Sequence, residues 1–186
     1  MTVEFHNSKN SVWNAIQESL LRAGFIIADV RTLDKKQGSF KQVTTTSAVK
    51  QDLVISCYKP KDSFRREFLS HAGSEDTAWA FVRQHLANIP VVVVKNDRIE
   101  VVAERQAYLL FDRMVAYHIM QGIPVPLDAT DFYRGLDEKF LKRDNMYFLP
   151  DQVNEYDTAR ITTEVENIQF ELFVTNEKSA ISWLYQ

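Results

Sequence analysis

The chain has 186 residues, of which 45% are hydrophobic and 12% aromatic; this suits one packed domain or two small ones and excludes a disordered protein. No apolar run approaches the roughly 20 residues of a membrane span, and Met1-Thr2-Val3-Glu4-Phe5-His6 lacks the basic and apolar regions of a signal peptide. The single cysteine, Cys57, excludes an internal disulfide framework and a cysteine-rich zinc site, so the expected location is the cytoplasm. The net charge of −3 is unevenly spread. Residues 1–60 carry eight basic and five acidic side chains (+3), and residues 61–186 carry fourteen and twenty (−6). An acidic second part is ill suited to a broad grip on phosphates, so contact with nucleic acid is expected through the first part.

Thr2 to Phe5 alternates polar and apolar residues, as a strand does. The polar loop His6-Asn7-Ser8-Lys9-Asn10 leads to a helix, capped by Asn10 or Ser11, whose Val12, Trp13, Ile16, Leu20 and Leu21 form one apolar face. Gly24 stands where a left-handed helix cap is needed, and Phe25 to Val30 reads as a second strand. The polar stretch Leu33 to Ala48 is an irregular excursion, and Leu53 to Tyr58 a third strand stopped by Lys59-Pro60. Strand, helix, strand, excursion, strand is the order of a doubly wound fold that finishes with a hairpin at one edge. The α/β class expected here is therefore a partial doubly wound sheet over residues 1–60.

From Ser63 the texture changes to a small α+β module, residues 61–186. Helical periodicity covers about Glu75 to Ala87, through Trp79, Phe81, Val82 and Leu86. Val91 to Val94 and Ile99 to Val102 flank Lys95-Asn96-Asp97-Arg98 and predict a hairpin. A helix is expected from about Ala103 to Gln121, another from Asp128, an extended stretch at Met146 to Leu149, and a helix start over Pro150 to Thr158. Ile168 to Val174 reads as a strand and Glu177 to Leu184 as a terminal helix. The one boundary proposed lies at Lys59 to Ser63.

The block Glu4-Phe5-His6-Asn7-Ser8-Lys9-Asn10-Ser11-Val12-Trp13-Asn14-Ala15-Ile16, then Ala23-Gly24-Phe25, Asp29-Val30-Arg31-Thr32-Leu33-Asp34-Lys35-Lys36-Gln37-Gly38-Ser39-Phe40-Lys41-Gln42 and Val49-Lys50-Gln51-Asp52-Leu53-Val54-Ile55, resembles one family. It is similar to the end of the catalytic domain in prokaryotic site-specific DNA methyltransferases, the amino-group methylases of restriction-modification that use S-adenosylmethionine. The resemblance is close over residues 2–58 and looser beyond residue 60, where Met146 to Pro150 and Asn176 to Leu184 resemble the following module. In that family a Lys-Pro-Gly-Gly turn precedes the strand that here is Met1 to Phe5, which would make Met1 an internal methionine of a parent protein.

The family's Asp-Pro-Pro-Tyr motif, which holds a flipped base, has no counterpart, because the chain contains no Pro-Pro. Its closely spaced cofactor-loop glycines are missing too: no two of Gly24, Gly38, Gly73, Gly122 and Gly135 are nearer than thirteen positions. The resemblance thus implies a fragment or subunit of an enzyme that moves a methyl group from S-adenosylmethionine to an exocyclic amine of adenine or cytosine. Catalytic residues and cofactor are not expected in this chain, which alone should be inactive. The expected partners are DNA, through residues 1–60, and either the missing catalytic portion or a second copy.

Two loops supply the candidate substrate or DNA-binding residues. His6, Asn7, Ser8 and Lys9 follow the carboxyl end of a strand, where ligands of open α/β sheets bind; Asn7 or Ser8 would hydrogen-bond substrate and Lys9 meet a phosphate. They also fit plain helix capping and turn filling. Lys35, Lys36, Phe40, Lys41 and Gln42 would follow a DNA backbone while the aromatic ring packs or stacks, or form a solvated basic loop. Trp13, Trp79 and Trp183 read as core residues, Cys57 as an inert buried thiol, and the four histidines as too dispersed for a local metal site. The alternative is a non-enzymatic interaction module or regulatory subunit built on a methylase remnant.

Overall fold

In the computed structural model, residues 1–5, 10–34, 51–95 and 97–165 are described. The chain is a mixed α/β protein with six α-helices and small antiparallel sheets among those residues. Three strands form the first sheet: β1 (Thr2–Phe5), β2 (Ile26–Asp34) and β3 (Gln51–Tyr58), in the order β1-β3-β2. β3 is antiparallel to both neighbours, so β1 and β2 run parallel with β3 between them. Helix α1 (Asn10–Arg22) makes the crossover. The backbone of Met1 extends the β1–β3 ladder, its amino group donating to the Cys57 carbonyl at 2.8 Å while its own carbonyl accepts from the Cys57 amide at 2.9 Å.

α1 ends as expected at Gly24, whose φ of +81° lets the Phe25 amide reach the Leu20 carbonyl and the Gly24 amide that of Leu21, both at 2.9 Å. The apolar stripe of α1 covers one face of the sheet, burying Leu20 with Ile27, Ile55 and Cys57, against which Trp13 and Ile16 pack. Burial of Cys57 also raises its thiol pKa. On β2 the register shifts between Ile27 and Asp29, so Ala28 is an extra residue. The bulge turns Asp29 and Arg31 to the face opposite Ile27.

That second face is covered by the rest of the chain. α2 (Asp62–Ser70), α3 (Asp76–Asn88), α4 (Ala107–Gln121) and α5 (Ala129–Lys139) build a core of Phe68, Phe81, Val82, Leu86, Leu110, Met114 and Phe132, which Ile26 and Ala28 of β2 join. A ribbon of β4 (Val94–Lys95) and β5 (Arg98–Ile99), a hairpin of β6 (Leu141–Arg143) and β7 (Met146–Phe148), and helix α6 over 150–165 form a smaller cluster with Val102, Tyr156 and Val153.

Several elements differ from expectation. α2 was not anticipated, although Phe64 and Phe68 stand one turn apart; their rings pack at 5.8 Å. The helix expected from Ala103 opens instead as a 3-10 turn, Ala103–Arg105, and α4 starts at Ala107. Met146 to Phe148 is one arm of a hairpin whose other arm, Leu141–Arg143, was missed. The expected strand Ile168 to Val174 and helix Glu177 to Leu184 lie outside the described residues. The Rossmann-like, doubly wound assignment is finer than this architecture, whose sheets are antiparallel throughout. No described helix is long and apolar enough to cross a membrane.

Candidate functional site

Because β1 and β2 are parallel, their carboxyl ends lie at the same end of the sheet: Phe5 and Thr32 both pair with Leu53. The two loops singled out from sequence are attached there, one between Phe5 and Asn10 and the other between Asp34 and Gln51. Their candidate residues His6, Asn7, Ser8, Lys9, Lys35, Lys36, Phe40, Lys41 and Gln42 lie outside the described residues.

Near these attachment points is a groove of about 540 Å³ lined by residues of α1, β2, the β4–β5 ribbon, the 3-10 turn and α4. Trp13, in the first turn of α1, stacks on Phe5 with ring centroids 5.8 Å apart and forms one wall. Asp29 and Arg31, turned inward by the bulge, form an ion pair on the second wall. Burial raises the Asp29 carboxyl above its ordinary value, with the Arg31 charge opposing. Glu104, from the 3-10 turn, and Arg113, from α4, close the third side. Glu104 accepts two hydrogen bonds from Arg113, at 2.9 Å from Nε and 2.6 Å from a terminal nitrogen.

Behind Glu104 a polar chain runs into the core. The Tyr58 hydroxyl and Nδ1 of His85 are 3.0 Å apart, and Nε2 of the fully buried His85 lies 3.7 Å from Oε2 of Glu104. Burial raises the Tyr58 pKa, so the phenol keeps its proton and donates to Nδ1. His85 then carries its own proton on Nε2, facing the carboxylate; the other tautomer would set a lone pair against it. At 3.7 Å this contact is electrostatic rather than a hydrogen bond. Burial lowers the His85 pKa, outweighing the Glu104 charge. Burial alone would raise the Glu104 carboxyl, but His85 and the two bonds from Arg113 hold it below its ordinary value.

At neutral pH this site therefore holds a fixed carboxylate and a neutral imidazole, the imidazole shut off from solvent. Such an arrangement fastens sheet to helices and offers hydrogen-bonding groups around Trp13; it is poorly placed for proton transfer. None of Tyr58, His85, Glu104 or Arg113 stood out in the sequence. The one local signal was a histidine one turn after Phe81 on an apolar helix face, and their meeting depends on contacts 9 to 27 positions apart in the chain. Among the described residues no group of three or more His, Cys, Asp or Glu is placed to hold a metal ion. Comparison with family models, curated proteins and solved structures finds no match to this chain.

Proposed function

We propose that this chain is the closing, non-catalytic portion of a site-specific DNA amino-methyltransferase. The observation that carries the reading is the path of the first sheet: two parallel strands joined by α1, with β3 returning antiparallel between them, over the same residues whose sequence resembles that family. β1 is an edge strand among the described residues, and beside it α1 leaves an apolar groove lined by Met1, Val3, Val12, Ile16 and Phe25. In this reading the missing catalytic portion, or failing it a second copy, adds a strand at β1 and a packing surface in that groove. That portion holds S-adenosylmethionine and the flipped base. The loops after β1 and β2 supply Asn7, Ser8, Lys9, Lys35, Lys36 and Lys41 to one DNA-facing end.

The purified 186-residue chain is expected to transfer no methyl group to mixed-sequence DNA; cofactor-dependent methylation by it alone would refute the reading. The coding DNA upstream of Met1 is a second test. An in-frame Asp-Pro-Pro-Tyr segment followed by Lys-Pro-Gly-Gly supports a fragment of a larger methylase, whereas a stop codon and a ribosome-binding site with no such segment favour a separately encoded subunit or an interaction module. The second reading, a non-enzymatic interaction module, draws on the same apolar groove and on the acidic charge of residues 61–186. Loss of DNA binding on replacing Lys35, Lys36 and Lys41 by alanine favours the first reading, and no binding at low salt favours the second.

A further inference from the structure

A cleft of about 290 Å³ opens between the end of α1 and the start of α2, away from the groove beside Trp13. In a chain of net negative charge it is lined by three cations, Arg22, Lys59 and Arg65, and by one carboxylate, Asp62. Arg22 is paired with Glu18 on the surface. Lys59 has no ion pair among the described residues; it runs across Gly24, whose missing β-carbon would lie 3.3 Å from its Cε, and sets its ammonium 5.7 Å from the Phe25 ring centre. Arg65 is oriented by its Nε, which donates to Gln121 Oε1 at 2.9 Å, so its two terminal nitrogens are not engaged by that bond.

Two further kinds of uncommitted donor lie at or beside this cleft: the start of α2, whose Asp62 lines it, and Tyr117. α2 begins after Lys61 with no side-chain cap, and its first intrahelical bond is that of the Arg65 amide, so the amides of Asp62, Ser63 and Phe64 are the helix's orphan donors. The second is Tyr117. It is only 3% exposed, with its ring packed on Phe64, Phe68 and Phe81, yet it lines the cleft and its hydroxyl makes no hydrogen bond among the described residues. A nearly buried tyrosine normally finds a partner for its hydroxyl. Its pKa is raised by burial, so at neutral pH it is a donor.

We propose that this cleft binds a phosphoryl group, held by the Arg65 guanidinium, the Lys59 ammonium, the Tyr117 hydroxyl and the first amides of α2. A hydroxyl, a guanidinium, an ammonium and helix-terminal donors around one cleft match a tetrahedral oxyanion with several acceptor oxygens. The group comes from a nucleic-acid backbone or from a small phosphate compound. This inference is independent of the methyltransferase reading and uses none of the residues assigned there to DNA.

The test is a titration of the ¹⁵N-labelled full chain with inorganic phosphate at constant ionic strength, followed by amide NMR. Saturable shifts at Asp62, Ser63 and Phe64 are expected. Tyr117→Phe should weaken phosphate binding about 3- to 10-fold and Arg65→Gln about tenfold or more, each with an otherwise unchanged spectrum. Shifts that do not saturate, or variants that bind phosphate as tightly as the unaltered chain, overturn the site. A short DNA duplex that displaces phosphate from the same amides identifies nucleic acid as the source; a duplex that leaves them unmoved identifies a small phosphate compound. Failure of the phosphate titration removes the cleft, whereas loss of duplex binding only on replacing Lys35, Lys36 and Lys41 bears on the lineage.

Discussion

Arg105 is the largest fully buried side chain among the described residues. Its neighbours are oxygens rather than a carboxylate: Nε donates to the Pro90 carbonyl, one terminal nitrogen to the Tyr147 carbonyl and Gln152 Oε1, and the other to the carbonyls of Leu86 and Ile89. Leu86 and Ile89 sit at the end of α3, so the cation closes the negative end of a helix while its plane lies 4.6 Å from the centre of the Phe148 ring. Burial lowers its pKa to about 10, which still leaves it charged at neutrality. Arg105→Met keeps much of the volume but strips buried carbonyls of their donor. It should cost about 3–5 kcal/mol in urea denaturation, and Arg105→Lys should also be destabilising because one ammonium cannot serve a forked set of acceptors.

The buried histidines set the acid limit. Burial lowers the pKa values of both His85 and His118, so below about pH 6.5 the unfolded chain takes up protons that the folded chain refuses. Their contribution is therefore complete above about pH 6.5 and is lost as the pH falls below it. Glu104, held below its ordinary value, contributes above about pH 4.5 and loses that contribution as the pH falls further, with Asp29 acting in the opposite sense. The Tm should decline between pH 6.5 and 5, before most carboxylates titrate. His85→Gln should flatten that part of the curve, and an unchanged slope between pH 6.5 and 5 would remove His85 from the account.

At the scale of elements, the contact between α3 and α5 depends on a residue with no side chain. A β-carbon on Gly135 would fall 2.4 Å from two ring atoms of Trp79, whose indole is stacked on Phe132 with centroids 5.4 Å apart. Gly135→Ala gains about 1 kcal/mol of helix propensity, but a rigid indole between buried rings cannot yield, and overpacking costs typically 1–3 kcal/mol. The expected net effect is destabilisation, read as a lower urea midpoint, and a raised midpoint would mean that α5 slides freely on α3. Elements with local signals were legible: the apolar stripe of α1, the glycine after it, the periodicity of α3, and the α5 cap, where Asp128 accepts from the Asp131 amide at 2.9 Å. The β6–β7 hairpin also had a signal that went unread, Asp144-Asn145, both at positive φ as a two-residue turn with matching twist requires. The bulge at Ala28, and with it the direction of Asp29 and Arg31, had none, because a bulge is fixed by what the strand packs against. The candidate groove was illegible for the same reason, since its walls bring β2 beside a turn some 75 positions later.

At the scale of the whole molecule, the boundary read at Lys59 to Ser63 separates sequence textures, yet packing crosses it. Ile26 and Ala28 are buried in the same cluster as Phe68, Phe81 and Tyr117, with Tyr58 packed against it and its hydroxyl bonded to His85. Removing residues 1–60 would bare the apolar side of α2 and α4 and leave His85 without its hydrogen-bond donor. Removing residues 61–186 would leave a three-stranded sheet covered on one face only. Small sheets with one naked apolar face are marginal in water. The chain should therefore unfold in one step, with calorimetric and van't Hoff enthalpies equal within error, and tryptophan fluorescence and far-UV circular dichroism should give the same midpoint. Two separated transitions, or a folded 61–186 fragment whose stability matches that of the whole chain, would show that the boundary divides cooperative units. Two such units would place the burden of the proposed function on residues 1–60 alone; a single transition makes the helical layer part of what holds the end of the sheet to which the two candidate loops are attached.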